Sequence, residues 1–270
     1  MHRTTLQGVH SRSWLGHSDV RVAASPRNVK RLKYAEFGQA GSLKIDDPAI
    51  ISLKGDGSDL WRLDSVVDHL KRGGVGIIPT DTLPALVVDL ENKDAVMKLY
   101  RAKELDPKKP LSILCKSFQE VAYYTLGFPA ANTPGQQNWF PVFKRVLPGP
   151  YTIILPASKN LPGQCVDFMK GKTIHRKSVG IRMPDDAVCK AVLEGLGRPL
   201  LCTSVHVTDV LAPDTEVPDS GSMYEAYAGK GIDFIVDIGR RVATQSTVVD
   251  MTGAEPVVTR LGRGDPSPFQ

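Results

Sequence analysis

The chain has 270 residues, of which 41% are hydrophobic and 23% charged, and its net charge is +5. That composition excludes a disordered chain, and no apolar run reaches the roughly 18 residues that a membrane-crossing helix needs. Four cysteines, Cys115, Cys165, Cys189 and Cys202, are too sparse for a disulfide scaffold and lack zinc spacing, so they read as reduced, mostly buried thiols.

The positive charge sits at the start. Residues 1–35 hold seven bases (Arg3, Arg12, Arg21, Arg27, Lys30, Arg31 and Lys33) against the single acid Asp19. An Arg- and hydroxyl-rich, acid-poor start without an apolar core is expected to be an organelle transit peptide or a disordered leader. Chloroplast is placed ahead of mitochondrion; without a transit peptide the protein would be cytoplasmic. The rest of the chain has 27 basic and 28 acidic residues, a net charge of −1. Overall basicity therefore says nothing about nucleic acid, and any phosphate binding must come from a local arrangement.

Residues 36–59 read as a connector with one edge strand at Ala49–Leu53. Residues 60–265 read as one domain, with 266–270 as a tail. Leu63, Val66, Val67 and Leu70 recur at helical spacing and stop at Gly73-Gly74. Strands are expected at Val75–Ile78, Leu86–Asp89 and Leu111–Cys115, with a helix over Asp94–Leu105. Val142–Leu147 reads as a helix ended by Pro148-Gly149-Pro150, and Tyr151–Leu155 is a β-branched strand. Val179–Met183 is a strand, Asp185–Leu196 a helix, and Leu200–Ser204, Phe234–Asp237, Ser246–Asp250 and Pro256–Arg260 are strands. Interleaved strands and helices without a repeat predict an α/β fold on one mixed sheet.

Polar residues collect at strand ends. Val75–Ile78 runs into Thr80-Asp81-Thr82, Leu200–Cys202 into Thr203-Ser204, and Ser246 opens another strand. Hydroxyls and amides beside strand ends, with Arg and Lys nearby, suit phosphate or carboxylate oxygens. Arg182, between Ile181 and Met183, needs a partner if its strand is buried. GxGxxG, Walker, HExxH and GxSxG motifs are all missing, and the six histidines form no metal-spaced pair. A metalloenzyme or a Ser/His/Asp hydrolase is thus disfavoured, and His206 reads as a structural or surface residue.

Several pieces, in order, carry a family resemblance. They are Gly73-Gly74-Val75-Gly76-Ile77-Ile78-Pro79-Thr80-Asp81-Thr82, Lys109-Pro110-Leu111-Ser112, Leu147-Pro148-Gly149-Pro150-Tyr151-Thr152, Val179-Gly180-Ile181-Arg182-Met183-Pro184, Leu200-Leu201-Cys202-Thr203-Ser204, Ser246-Thr247-Val248-Val249-Asp250, and Arg260 with Gly262. Together they resemble the YrdC-like family. The resemblance implies an α/β domain whose twisted mixed sheet, flanked by helices, surrounds a concave, positively lined cavity.

It also implies a relation to L-threonylcarbamoyladenylate synthases. These make threonylcarbamoyl-AMP and pyrophosphate from threonine, bicarbonate and ATP, for N6-threonylcarbamoyl modification of an adenosine in tRNA. ATP would come with Mg2+ as a substrate, and no tightly bound cofactor or metal site is expected. Implied partners are ATP or an AMP-like nucleotide, threonine, and double-stranded RNA or tRNA. A basic cluster at Lys170, Lys172, Arg176 and Lys177 is a candidate RNA contact or a solvated loop.

The motif positions that would bind substrate or nucleotide are Thr80, Thr82, Lys103, Ser112, Thr152, Arg182, Thr203, Ser204, Ser246 and Arg260. By resemblance, Thr82 would touch the amino acid, Lys103 phosphates or carboxylate, and Arg182 the nucleotide side. Thr203 and Ser204 would line the adenylate pocket, and Ser246 and Arg260 would close it. No residue is singled out as catalytic.

Two departures matter. The synthase branch carries Lys-x-Arg where this chain has Lys103-Glu104-Leu105, and Ser-x-Asn where it has Ser204-Val205-His206. Pro84-Ala85 also replaces a Tyr-Gly. The first two departures resemble the YciO branch. The expectation is a nucleotide- and double-stranded-RNA-binding protein with little or no synthase activity. The alternatives are an active synthase, in which Lys108, Lys109 or His206 supplies the missing groups, and a non-catalytic interaction module.

Overall fold

The computed structural model describes residues 47–54, 57–106, 109–129, 137–162, 177–206, 218–239 and 244–270. The leader expected over 1–35, with three of the four bases of the expected RNA cluster, lies outside these residues.

Among the described residues ten strands make one sheet: β1 (Ala49–Ser52), β2 (Gly76–Ile78), β3 (Ala85–Asp89), β4 (Ser112–Leu114), β5 (Tyr151–Pro156), β6 (Ser178–Arg182), β7 (Leu200–Ser204), β8 (Phe234–Asp237), β9 (Thr247–Asp250) and β10 (Val257–Arg260). Their order across the sheet is β1-β8-β2-β3-β7-β4-β6-β5-β9-β10. The β1–β8, β8–β2, β4–β6 and β5–β9 pairs are parallel and the others antiparallel. This is the mixed sheet the sequence predicts.

The central strands are apolar on both faces, because the sheet separates two cores. Successive residues point to opposite sides. Ile77, Leu86, Val88, Ile113, Leu201 and Ile235 enter one core, and Ile78, Ala85, Val87, Leu114, Leu200 and Phe234 the other. Helices α2 (Lys93–Ala102), α3 (Phe118–Tyr124), α4 (Phe140–Val146) and α6 (Ser220–Tyr227) contribute to the first core. Helices α1 (Leu63–Lys71) and α5 (Ala187–Leu196) contribute to the second. Gly76 is needed for this packing: a β-carbon there would lie 2.2 Å from the buried Phe234 ring.

The edge strand expected in the connector forms: β1 stands at one edge of the sheet and pairs with β8 along its whole length. Two bounds differ from the sequence expectation. The expected tail at 266–270 is not loose: Ser267–Phe269 forms a 3-10 turn, and buried Phe269 packs on Phe143 and Tyr151. Helix α2 stops at Ala102 and not at Leu105. Glu104 adopts φ +52°, its N–H donates to the Arg101 carbonyl at 3.0 Å, and the Leu105 N–H donates to Tyr100 at 2.9 Å. That pair of bonds is a Schellman cap.

Helices α3 and α6 were not expected. Each is held by a cap: Ser117 Oγ accepts from the Glu120 N–H at 3.3 Å and Asp219 Oδ1 from the Ser222 N–H at 2.8 Å.

Candidate functional site

The β2–β3 connection folds inward because its polar groups satisfy one another. Thr80 Oγ1 donates to the Leu83 carbonyl at 2.8 Å and accepts from the Thr82 N–H at 3.1 Å. Thr80, Asp81 and Thr82 are all buried. The loop meets Arg182, at the end of β6. Arg182 Nη2 faces Thr82 Oγ1 at 2.6 Å, Asp81 Oδ1 at 3.1 Å and Thr80 Oγ1 at 3.2 Å. Asp81 Oδ2 accepts from the Asp185 N–H at 3.0 Å. Arg263, beyond β10, donates to the Asp81 carbonyl. Burial raises the Asp81 carboxyl above its ordinary range, although the Arg182 charge pulls the other way. The Arg182 Nε is buried with no hydrogen-bond partner.

A second cluster joins β5, β9 and β10. Arg260 Nε and Nη2 donate to the Ser246 carbonyl at 3.1 and 2.9 Å, and Nη2 reaches Ser246 Oγ at 3.0 Å. Ser246 Oγ lies 2.7 Å from Thr152 Oγ1. Gly262 permits this approach, since a β-carbon there would meet the Gln245 carbonyl at 2.3 Å. Partial burial and then the Arg182 charge push the Arg260 guanidinium below its ordinary value. An arginine still remains charged.

Between the two clusters lies a cavity of about 380 Å³. Of the expected residues, Ser112, Thr152, Arg182, Thr203, Ser204, Ser246 and Arg260 line it. Lys109, Arg182 and Arg260 are the formally charged groups on its lining, and no carboxylate is among the described lining residues. Cys202 also lines it, but burial pushes its thiol up to about 11, so it is a neutral wall group.

Three expected contacts fall elsewhere. Thr80 and Thr82 border a separate recess of about 20 Å³ beside Asp219, Met223 and Asp237, and they reach the cavity only through Arg182. Lys103 caps α2, and its ammonium donates to the Ser204 carbonyl instead of lining the cavity. Leu105 packs against the core.

His206, read as a structural or surface residue, lines the cavity. Asp81 and Arg263 were missed as organisers of the site. Asp81 stands inside the Thr-Asp-Thr motif, and Arg263 follows Gly262 in the same short C-terminal piece as Arg260.

The Sua5/YciO/YrdC family model, described as "Telomere recombination", matches residues 68–262. YciO of Escherichia coli strain K12 is 30% identical over 208 residues, which cover 77% of this chain and 92% of that protein. Its crystal structure superposes with a TM-score of 0.67 at 27% identity, over 83% of this chain and 100% of that one. A threonylcarbamoyl-AMP synthase of Pyrococcus abyssi strain GE5 is 26% identical over 203 residues, which cover 75% of this chain and 54% of that protein. The P. abyssi Sua5 structure complexed with L-threonine gives a TM-score of 0.65 at 25% identity, covering 79% of this chain and 57% of that one.

Proposed function

The chain belongs to the Sua5/YciO/YrdC family, related to the threonylcarbamoyl-AMP synthases, and from that membership we propose that its cavity binds an adenine nucleotide with little or no synthase activity. One observation carries the binding half. Lys109, Arg182 and Arg260 line the cavity with several hydroxyls and no described carboxylate. Such a wall attracts polyanions and repels none of their charges. Its volume also suits a small molecule more than a macromolecule.

In this reading Arg260 and Arg182 hold phosphate oxygens from two sides. Thr152 and Ser246 donate or accept between them, while Ser112, Thr203 and Ser204 border the remaining space. Catalysis in such a site rests on positioning and charge stabilisation. Mg2+ would arrive on the nucleotide's own phosphates, which together with water are its usual ligands in nucleotide sites.

The reduced synthase half follows from residues 103–105. Where the synthase branch carries an arginine, Leu105 is partly buried and packs against the core beside the Schellman cap. Losing one charge-assisted phosphate contact costs about 1.5–3 kcal/mol. The second reading, an active synthase, draws support from Lys109 and His206, which both line the cavity and could replace lost donors. Threonine, present in the P. abyssi Sua5 structure, would be its amino-acid substrate.

Duplex RNA binding, implied by the resemblance, would need a basic surface outside the cavity. Of its expected bases only Lys177 is among the described residues.

Calorimetric titration of the full chain with Mg2+-ATP tests the proposal. Saturable binding that weakens with salt supports it, and no heat of binding at any salt concentration overturns it.

A further inference from the structure

Arg263 joins the mounts of the two arginines that line the cavity. Its backbone N–H donates to the Gln245 carbonyl at 2.8 Å, one residue before the Ser246 that Arg260 grips. Its guanidinium Nη1 donates to the backbone carbonyl of Asp81, whose carboxylate holds Arg182. One residue thus bonds to both mounts, while its own side chain does not line the cavity.

The two mounts belong to distant parts of the sheet. The Asp81 loop leads into β3 and Ser246 precedes β9, and β7, β4, β6 and β5 stand between those strands. At about 4.8 Å per step, a flat sheet would set β3 and β9 roughly 24 Å apart. An arginine side chain cannot span that distance, so the contact shows the two ends of the site bent toward each other.

The backbone at Arg263 is seated on both sides. The Gly262 N–H donates to Thr247 Oγ1 at 3.0 Å, and that hydroxyl donates to the Gly264 carbonyl at 2.6 Å. The Tyr151 hydroxyl donates to the Asp265 carbonyl at 3.1 Å, and Phe269 is buried a few residues on. The side chain therefore starts from a fixed point. Bracing of this kind has a purpose here. Arg182 and Arg260 are like charges close enough for one to affect the other, and they repel. Asp81 and Ser246 hold each of them locally, and a bond between the mounts fixes the separation.

We propose that Arg263 is a positioning residue that sets the separation of Arg182 and Arg260, and so matches the cavity to a ligand whose phosphates engage both. The inference rests on the nucleotide binding proposed above. It adds that the two arginines work as one unit, held in register by a third that does not line the cavity.

The test is a double-mutant cycle, read by calorimetric titration of the full chain with Mg2+-ATP. Arg263→Met should weaken ATP binding by about tenfold, on the scale of one well-placed charge-assisted contact. In the Arg260→Met background the same change should cost no more than about twofold, because the pair it positions is already broken. Arg263→Lys, which can still donate to the Asp81 carbonyl, should recover most of the wild-type affinity. Binding stoichiometry and melting temperature are followed in every variant, since a general loss of structure would lower them together with affinity.

A cost that adds in full to that of Arg260→Met overturns the positioning role. So does unchanged ATP affinity in Arg263→Met, or a loss of affinity that comes with lost stoichiometry or that lysine does not recover. Each of these outcomes leaves nucleotide binding standing. Failure of the wild type to bind ATP overturns both readings.

Discussion

Arg182 Nη2 lies 3.1 Å from Asp81 Oδ1, and the two side chains are only 4% and 7% exposed. This ion pair ties the end of β6 to the loop after β2, two strands that are not neighbours in the sheet. A buried pair is modest evidence for stability as a whole, but removing one partner strands the other charge. Arg182 thereby has two roles. Its Nη2 orders the Thr80–Thr82 loop, and its guanidinium forms part of the cavity wall.

Substituting Arg182→Met should cost about 3–5 kcal/mol at neutral pH, and the loss should depend on pH. The Asp81 carboxyl is already raised by burial, and Arg182 is the main influence lowering it. Without Arg182 it rises further. A carboxyl raised in the folded state contributes stability that is fully present below its unfolded pKa, near 3.8, and is lost as pH rises through the folded value. The deficit of the variant relative to wild type should therefore widen from about pH 4.5 to about pH 7.5 in urea unfolding. A deficit that stays constant or narrows contradicts this account of the pair.

Glu104→Gly should leave the protein as stable as wild type or more stable. Glu104 holds φ +52° at the position of the α2 cap where glycine is usual. The left-handed conformation costs a side-chain-bearing residue about 1 kcal/mol. Its ion pair with Lys230, at 3.6 Å, is solvent-exposed on both sides, and such pairs contribute about 0–1 kcal/mol. The backbone effect should win or break even, so the melting temperature should rise or hold. A clear fall would mean that the Glu104 side chain matters more than its backbone.

The β10 exit should be sensitive to a single methyl group. In Gly262→Ala the new β-carbon would lie 2.3 Å from the Gln245 carbonyl oxygen and 2.5 Å from the Ser246 carbonyl carbon, both backbone atoms that cannot swing aside. Arg260 should lose its grip on Ser246. ATP affinity should fall by about tenfold or more, as for Arg260→Met, where a lost charge-assisted contact corresponds to about 10–100-fold. Unchanged ATP affinity in both variants would remove Arg260 and Ser246 from the binding wall.

The strands were legible because this sheet is buried on both faces. Ala85–Asp89 and Leu200–Ser204 are nearly unbroken apolar runs, which few other structures require. Helix α6 was not, because its sequence, Ser-Gly-Ser-Met-Tyr-Glu-Ala-Tyr, has weak helix formers and no clear apolar stripe. Its Asp219 cap and the burial of Met223 and Tyr227 hold it in place. Helix α3 did carry a signal, Ser117-x-x-Glu120: Ser117 Oγ accepts from the Glu120 N–H as in a capping box, while Glu120 Oε2 accepts from the Lys116 N–H at 2.8 Å, one residue before the cap.

Within the site, the need for an Arg182 partner could be read from its apolar neighbours, but the identity of that partner could not. Asp81 is 101 residues away, and only the sheet order brings it near. The fate of Leu105 was likewise hidden, because it depends on a left-handed residue at Glu104, where the residue type gives no hint of the turn.

The most direct test of the central claim is one incubation of the full chain with Mg2+-ATP, labelled bicarbonate and threonine, followed by separation of nucleotide products. ATP binding is measured on the same preparation. The account predicts saturable ATP binding and little or no threonylcarbamoyl-AMP. Robust, enzyme-dependent formation of threonylcarbamoyl-AMP would contradict it.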